Sequence, residues 1–415
     1  MKMTINTSDF ITAIKNLEKV NVNNVLPILD SVQITVDSHF AVLSRTNLGK
    51  TIISKIPADI EFFGTILLPM KTIDLIKNLK DDSFVLTEDS IITDKKKIGF
   101  TRLNLSEYPE IKIDTKEFFF EISESELHRM LEVKYCMAQD ENRPILCGVC
   151  FDNNKTIGVD GYRMSVRQGN YNSELKKVVI DSETIDLISK IINKKSNNIV
   201  KIYGKNFHNN DKQFIKFEFI NQYGYNTVVI GETVCGEFLN HKGIIPTDFE
   251  TTVTVNADDI SNEIEFMNKA SNKDANDYIK FITNDNKLIT DCRITESVYD
   301  KDASREATIK AQKNSDLEYY EKVNKARKTT KVPERKTIKE IKIKKQIEVN
   351  RITSEVDAEV TGKVWESSFN GKYLYEGFKF YNNTQVKIKA ISHIAPMVIT
   401  ADDCNLELVL PVRVA

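Results

Sequence analysis

The chain has no long apolar run and no apolar segment near its start. Its 415 residues are 41% hydrophobic and 28% charged, as in ordinary soluble globular proteins. No stretch approaches the ~18 consecutive apolar residues that a membrane span needs. The opening sequence, MKMTINTSDF, lacks the apolar core of a secretory signal. We therefore expect no membrane association and a cytoplasmic location.

Residues that often bind metals or act as nucleophiles are few and scattered. Six cysteines in so long a chain do not predict a disulfide framework. Cys147 and Cys150 have the spacing of a metal or redox pair, but residues three apart on a strand point to opposite faces. Buried thiols are the favoured interpretation. The five histidines fall singly, without HExxH or a similar spacing: His39, His128, His208, His241 and His393.

One segment resembles the end of a phosphate-binding loop. It runs from Leu48 through Gly49 and Lys50 to Thr51, but Ser44 stands where that motif requires glycine. The segment also lies between strand-like stretches instead of opening a helix. No pattern marks a pair of catalytic carboxylates. The sequence therefore predicts no active site, no metal and no cofactor.

Charge of one sign is not in excess either. The 58 Lys/Arg and 60 Asp/Glu residues give a net charge of −2. Net charge does not say where the charges lie. A protein that encloses DNA needs only a basic inner lining, so the balance permits a DNA partner without favouring one.

What the chain does contain is an internal repeat, the feature that most directly predicts architecture. Pro-Ile-Leu followed by valine occurs at Pro27 and again at Pro144, an offset of 117 residues. The pentapeptide TIDLI occurs at Thr72 and again at Thr184, an offset of 112. Two matches at nearly equal offsets indicate a duplicated unit.

The predicted elements around these matches occur three times. KMTIN, FFFEI and TTVTV read as strands, and each leads into a helix. The second of these helices opens with a predicted capping box, Ser123 and Glu126. Alternating Val32, Ile34 and Val36 read as a half-buried strand. A second helix follows in MKTIDLIKNLK, DSETIDLISKIIN and, more loosely, NGKYLYEGFKFYN.

Such a unit predicts an α+β layer of antiparallel strands with helices on one face. We expect three tandem domains: 1–117, 118–247 and 248–415. Lysines recur on the predicted helices, away from the apolar stripe, which favours a shared basic surface over unrelated solvated side chains. They are Lys15, Lys19, Lys71, Lys77, Lys80, Lys190, Lys194 and Lys195.

The third unit contains an insertion at about 301–350. These residues include 15 Lys/Arg and 8 Asp/Glu, an excess of +7. Within them, KTIKEIKIKKQIEV alternates enough to form a hairpin arm. The two interpretations are a solvated, partly disordered insertion and an arm that contacts DNA or a partner.

Three stretches in the correct order resemble one protein family. LPILDSVQITV, CMAQDENRPILCGVCFDNNKTIGVDGYRMSV and ISHIAPMVITADDCNLELVLPVRVA are similar to segments of the beta subunit of bacterial DNA polymerase III, the sliding clamp. The resemblance covers nearly the whole chain except about 301–350. It implies a non-catalytic replication protein, with antiparallel sheets outside and helices lining a central pore.

The resemblance also implies partners. Two chains would join head to tail into a homodimeric ring, encircle duplex DNA without reading its sequence, and localise to the nucleoid in the cytoplasm. A hydrophobic pocket would bind short peptides of the replicative polymerase, the clamp loader and repair proteins. Gln139 and Arg143 match a loop that approaches DNA.

By matched position, the pocket residues come from the second and third predicted domains. Alternation along the C-terminal strand would place Leu408, Leu410 and Val412 on one face. The bland alternative is that these residues only pack a domain junction. The full set is Leu146, Val159, Gly161, Tyr162, Arg163, Met164, Ile244, Pro396, Leu408, Leu410, Pro411 and Val412.

Two departures from the family pattern accompany the insertion. The loop NVNNV has asparagines where a basic residue is common, and Leu239 replaces a usual proline. They motivate a second hypothesis, a clamp-fold decoy or inhibitor of the replication machinery. A DNA-processing enzyme is a third hypothesis, and it would require a metal or nucleotide site that the sequence does not display.

Overall fold

A computed structural model describes most of the chain. The chain divides into two units. The first unit contains residues 1–245 and 402–408, and the second contains 246–401 and 409–415. The boundaries of the three predicted domains remain a prediction. The described residues are 1–22, 26–109, 115, 117–173, 175, 177–204, 213–220, 226–270, 278–326, 335–402 and 404–413.

Seven helices lie in the described residues. Side-chain oxygens cap several of them, because the first amides of a helix have no partner within it. Asn6 accepts from the amides of Ser8 (2.9 Å) and Asp9, and Asn256 accepts from Asp258 in the same way. The helices are α1 Thr7–Leu17, α2 Met70–Ile76, α3 Glu124–Leu131, α4 Ser182–Ile191, α5 Ala257–Ala270, α6 Lys301–Ala326 and α7 Gly371–Phe378.

The predicted capping box is half confirmed. Ser123 caps α3 by accepting from the amide of Glu126. The Glu126 carboxylate, however, accepts from the Arg129 guanidinium at 2.8 and 2.6 Å. A charged donor makes the stronger hydrogen bond, which explains why this carboxylate turns towards Arg129.

The strands of the first unit are β1 Lys2–Asn6, β2 Ser31–Asp37, β3 Phe40–Thr46, β4 Thr51–Phe62, β5 Thr65–Pro69, β6 Ser83–Thr87, β7 Ser90–Ile92, β8 Lys97–Gly99, β9 Glu117–Ser123, β10 Gly148–Asp152, β11 Lys155–Val159, β12 Arg163–Gln168, β13 Val178–Asp181, β14 Ile199–Gly204, β15 Phe214–Ile220 and β16 Asn226–Glu232. Those of the remaining chain are β17 Thr251–Asn256, β18 Tyr278–Asn284, β19 Lys287–Asp300, β20 Ile343–Gly362, β21 Glu366–Asn370, β22 Gln385–Ala390, β23 Met397–Thr400 and β24 Leu406–Val409.

The long strand β4 organises the larger sheet of the first unit. It pairs antiparallel with β1, β3 and β16, and the sheet has the order β8-β7-β6-β1-β4-β16-β15-β14-β9, with β2, β3 and β5 beside it. A smaller sheet has the order β13-β10-β11-β12-β24. One apolar core extends from Met1 to Val229, so burial of apolar surface joins both halves of this unit.

The repeated sequences form equivalent structures, as the offsets predict. Both Pro-Ile-Leu segments form a short 3-10 turn before a strand. Both TIDLI segments lie in a helix, α2 and α4, with their isoleucines fully buried. The strands predicted from KMTIN, FFFEI and TTVTV are β1, β9 and β17, and each precedes a helix.

The second unit has its own antiparallel sheet and its own apolar core. The strand order is β23-β22-β17-β20-β19-β18-β21. The core contains Ile264 of α5, Leu374 of α7 and Trp365, among others. No helix in the described residues is long and apolar enough to cross a membrane.

The described part of the insertion includes a helix that the sequence did not predict. β19 and β20 pair continuously from Lys287–Asp357 to Asp300–Ile343, which agrees with a hairpin arm. Between them lies the 26-residue helix α6. Its polar and apolar residues are mixed on all sides, so periodicity does not reveal it. Residues 301–332 contain no glycine or proline. Because both residues disfavour a helix, their absence was the sequence feature that could have indicated α6.

We expect the second unit to fold without the insertion. A variant in which Asn-Gly replaces 296–347 joins Thr295 to its cross-strand partner Glu348 by a two-residue turn. None of the removed residues belongs to the core of this unit. The melting temperature should therefore change by less than about 4 °C, which corresponds to about 1 kcal/mol. Thermal unfolding followed by circular dichroism tests this, and a collapse of the transition would contradict it.

Candidate functional site

A tight hairpin turn presents the most exposed residue of the predicted pocket. Val159 at the end of β11 pairs with Met164 of β12. Between them, Gly161 adopts a φ of 91°, which glycine reaches without strain. The Asp160 carboxylate accepts from the amides of Tyr162 (2.9 Å) and Arg163 (3.0 Å). The turn is thereby fixed, and the Tyr162 side chain remains 63% exposed.

Arg163 supports this turn from within the protein. Its Nε donates to Asp160 at 2.8 Å and its guanidinium donates to the Tyr135 carbonyl at 2.7 Å. The same guanidinium lies 5.0 Å from the centre of the Tyr135 ring, a cation–π geometry. Arg163 is buried, so it positions the turn and is not itself a contact surface.

Apart from Gly161 and Arg163, burial separates the predicted pocket residues into three groups. Leu146, Val159, Met164 and Leu408 are buried. Pro396, Leu410 and Pro411 are half-buried. Tyr162, Ile244 and Val412 are exposed large apolar residues. The third group is the one that a partner can contact without rearrangement.

The predicted face of Leu408, Leu410 and Val412 is wrong in its geometry. β24 ends at Val409, so the other two residues follow the strand. Pro411 has no amide hydrogen and cannot continue the ladder. The Val412 amide instead donates to the carbonyl of Ser368 at 2.7 Å.

A buried charged pair lies beside the pocket residues of the first unit, and sequence reasoning missed it. The Arg167 guanidinium forms an ion pair with the Glu407 carboxylate, and both side chains have an exposure of at most 1%. Glu407 also accepts hydrogen bonds from the hydroxyls of Tyr135 and, at 3.2 Å, Ser165. Burial raises the pKa of Glu407, although Arg167 opposes that rise. The alternation of polar and apolar residues around Glu407 is typical of a half-exposed strand, so its burial could not be predicted from the sequence.

The predicted DNA-facing residues are mostly exposed. Lys15, Lys71, Lys80, Gln139, Arg143, Lys190, Lys194 and Lys195 are exposed. The prediction that all the lysines lie on helices is wrong, because α1, α2 and α4 are shorter than expected. Only Lys15, Lys71 and Lys190 lie within them, and the others follow the helix ends. Cations near a helix C-terminus interact favourably with its dipole.

Two of these lysines are engaged by the protein itself. The ammonium of Lys19 donates to the carbonyl of Lys190 at 2.8 Å, and burial together with the charge of Lys190 lowers the pKa of Lys19. Lys77 pairs with Glu18 and Asp74. Burial alone would lower the pKa of Lys77, but those carboxylates outweigh it and raise the pKa. Lys19 and Lys77 are therefore weaker candidates for contact with phosphates.

The segment that resembled a phosphate-binding loop is a connection between β3 and β4, as predicted. Lys50 pairs with the carboxylates of Asp181 (3.1 Å), Glu183 (2.9 Å) and Glu232 (3.3 Å). Burial alone would lower the pKa of Lys50, but Asp181 and Glu183 outweigh burial and raise the pKa. This lysine therefore connects the two halves of the first unit and does not form part of a phosphate-binding site.

The remaining predicted features lie as follows. Cys150 is buried within β10, and burial raises the pKa of its thiol. Cys147 precedes the strand and is only half-buried, so the prediction of buried thiols is confirmed for Cys150 and wrong for Cys147. Among the described residues, no group of three His, Cys, Asp or Glu side chains is placed to hold a metal ion. Leu239 is half-buried. Of the NVNNV loop, residues 23–25 lie outside the described residues, as does His208.

Comparison with known proteins gives a consistent result over the full chain. No protein-family model matches it. It is 21% identical over 438 aligned positions to a beta sliding clamp of Staphylococcus aureus, covering 100% of this chain and 99% of the relative. A beta sliding clamp of Staphylococcus epidermidis is 22% identical with the same coverage.

Solved structures share the fold. The sliding clamp of Bacillus subtilis superposes with a TM-score of 0.76 at 17% identity, covering 100% of both chains. The beta subunit of Streptococcus pyogenes DNA polymerase gives 0.75 at 21%. A sliding clamp of Bartonella birtlesii bound to griselimycin gives 0.73 at 19%, again over 100% of both chains. The predicted α+β clamp fold is therefore confirmed.

Proposed function

We propose, from the premise that this chain belongs to the DNA polymerase III beta subunit (sliding clamp) family, that it encircles duplex DNA as a head-to-tail homodimer and tethers a replicative polymerase. In this role it is a non-catalytic accessory protein. The observation that carries the proposal is the resemblance to a beta sliding clamp over 100% of this chain and 99% of the relative.

The exposed lysines support an encircling mode of DNA binding. Lys15 lies in α1, Lys71 in α2 and Lys190 in α4, and all three side chains are exposed. Lysines on flexible stems attract phosphates without reading bases. Lysines that recur on equivalent helices suit a surface that must let DNA slide.

The exposed apolar residues support a peptide-binding role. Tyr162 and Ile244 are 63% and 43% exposed in the first unit, and a large exposed aromatic is a frequent anchor in protein interfaces. The clamp of Bartonella birtlesii is bound to griselimycin, so a relative with this fold binds a ligand. We propose that the replicative polymerase, the clamp loader and repair proteins each present a short peptide to this pocket.

The first test is the mass of the purified full-length chain in solution. We expect light scattering to give close to twice 47.5 kDa, maintained on dilution, because heterologous contacts that close a ring satisfy both interfaces of each chain. A monomer at every concentration would contradict the homodimer and favour the decoy or inhibitor hypothesis, which the insertion motivates.

A second measurement tests encirclement directly. After loading by a cognate clamp loader with ATP, the protein should remain on closed circular duplex DNA and dissociate when the circle is cut once. Retention that survives the cut would indicate ordinary surface binding. A dimer that no loader can place on a circle would again favour the decoy hypothesis.

A further inference from the structure

The insertion forms an arm that projects from the sheet of the second unit. We define the arm as the two-stranded ribbon 293–300 with 343–351, the helix α6, and the described returning segment 335–342. β18 pairs with β19 only as far as Cys292, and β17 pairs with β20 only from Ala358 onwards. Beyond those residues, the described pairing of the ribbon is between its own two strands. Its eight residues extend about 26 Å at about 3.3 Å per residue.

A row of polar side chains on α6 holds the returning segment. The row consists of residues at every fourth position, which share one helix face. The hydroxyls of Ser304 and Thr308 accept from the amides of Ile343 (2.7 Å) and Ile341 (2.9 Å). The Gln312 carbonyl oxygen accepts from the amide of Ile338 at 2.8 Å.

The same row ends in an ion pair that fixes the start of the segment. Asp316 accepts from the Arg335 guanidinium through both of its oxygens, at 2.9 and 2.7 Å. This bidentate geometry is the stronger form of such a pair. The segment therefore runs antiparallel to α6 from Asp316 to Ser304, alongside twelve residues or about 18 Å of helix.

The segment presents exposed basic side chains that have no ion pair within the described residues. Lys336, Lys339, Lys342 and Lys344 are exposed, and none of them has an ion pair within the described part of the chain. The flanking basic residues differ, because Arg335 pairs with Asp316 and Lys345 pairs with Asp300 at 3.4 Å. Four exposed lysines without an ion pair in the described residues thus lie within nine consecutive positions, Lys336 to Lys344.

We propose that these four lysines bind the phosphate backbone of duplex DNA, as a contact that does not require encirclement. Several cations close together on a segment that follows about 18 Å of helix suit a linear polyanion, since duplex DNA carries one charge per ~1.7 Å of its axis. Lysine ammonium groups neutralise phosphates as point charges and carry no base specificity. The choice of DNA over other polyanions rests on the proposed clamp function.

The test uses the full-length protein and a small covalently closed duplex circle, without loader or ATP, so that a closed ring cannot enclose the DNA. In the variant Lys336→Gln, Lys339→Gln, Lys342→Gln, Lys344→Gln, the slope of log affinity against log salt should fall in magnitude by about 3.6, for four lost phosphate contacts. The affinity at low salt should fall by on the order of 100-fold. The corresponding four Lys→Arg substitutions, which keep the positive charges, should leave the salt slope and the low-salt affinity close to those of the unsubstituted protein.

A matched control separates this local row from net charge. Lys269, Lys280, Lys287 and Lys363 belong to the same unit, and each already pairs with a carboxylate. Changing these four to Gln alters the net charge equally but should leave the salt slope nearly unchanged. An equal loss in the control would overturn the proposal, as would unchanged binding in the arm variant.

Two further readouts distinguish the other outcomes. Loss of binding to a polyglutamate chain, with DNA binding unchanged, would overturn the DNA assignment and indicate an acidic protein partner. Retention on circular DNA after loading should persist in the arm variant, because it depends on ring closure. The arm proposal and the clamp proposal can therefore fail separately. All four substituted side chains are exposed, so an unchanged melting temperature confirms that the variant is folded.

Discussion

Replacing Arg167 with Met should lower the free energy of unfolding of the first unit by about 3–5 kcal/mol. Arg167 and Glu407 are both buried, with exposures of 0% and 1%. Removing the cation leaves a buried carboxylate without its counter-charge, and such a charge is expensive in a low-dielectric interior. Urea unfolding of the full-length chain, followed by circular dichroism, measures the change.

The double variant Arg167→Met with Glu407→Leu is the matched control. Replacing a buried ion pair by apolar residues of similar size is often close to neutral, because the desolvation cost of both charges disappears. We therefore expect the double variant to recover most of the lost stability. A double variant as unstable as Arg167→Met would show that the pair contributes through packing.

The defect of Arg167→Met should also depend on pH, with a defined sign. Burial already raises the pKa of Glu407 in the intact protein, and removing Arg167 raises this pKa further. In the unfolded chain a glutamate has a pKa of about 4.3. Between these two values the folded state binds a proton that the unfolded state has lost, so stability rises as the pH falls. The defect should shrink between neutral pH and about pH 5, and a constant defect would contradict a charge-based cause.

The second large effect concerns the proposed peptide pocket. Tyr162→Ala and Ile244→Asp should each weaken binding of the polymerase's clamp-binding peptide by about 2 kcal/mol, or roughly 30-fold, as expected for a central interface anchor. Both side chains are exposed, so the fold should tolerate their removal. Titration calorimetry with a clamp-binding peptide of the cognate polymerase measures the loss.

The choice of variant and control follows from burial. Leu408 is buried, so a charge at that position would unfold the strand and obscure any effect on binding. Phe63→Ala is a suitable control, because Phe63 is 70% exposed in the same unit and lies outside the predicted pocket. Equal losses in Tyr162→Ala and Phe63→Ala would contradict a localised pocket and favour the interpretation that these residues only pack the protein.

The repeat made the fold predictable from sequence alone. The two TIDLI segments have apolar residues at helical spacing, which predicts a helix with one buried face. The structure places these two segments in equivalent helices, α2 and α4. Helix ends were less predictable, since tertiary context decides how far a helix continues. As a result, Lys80 and Lys194 lie beyond the helices on which they were expected.

The candidate site was predictable only in part. Family resemblance identified Tyr162, and the structure shows why it is exposed: Asp160 and Gly161 build the turn that carries it. The burial of Glu407 was not predictable. Its partner Arg167 is 240 positions away, and no local pattern encodes a contact at such a separation.

The sequence by itself determined the triplicated strand–helix plan, the location of the insertion and its basic character, because these depend on periodicity, repetition and composition. Only the tertiary structure decided which charges are neutralised. It pairs Lys50 with three carboxylates and Arg335 with Asp316, yet leaves Lys336 and Lys339 exposed without an ion pair in the described chain. The physical reason is that electrostatic energy depends on distance and burial, and the order of residues along the chain does not fix either one.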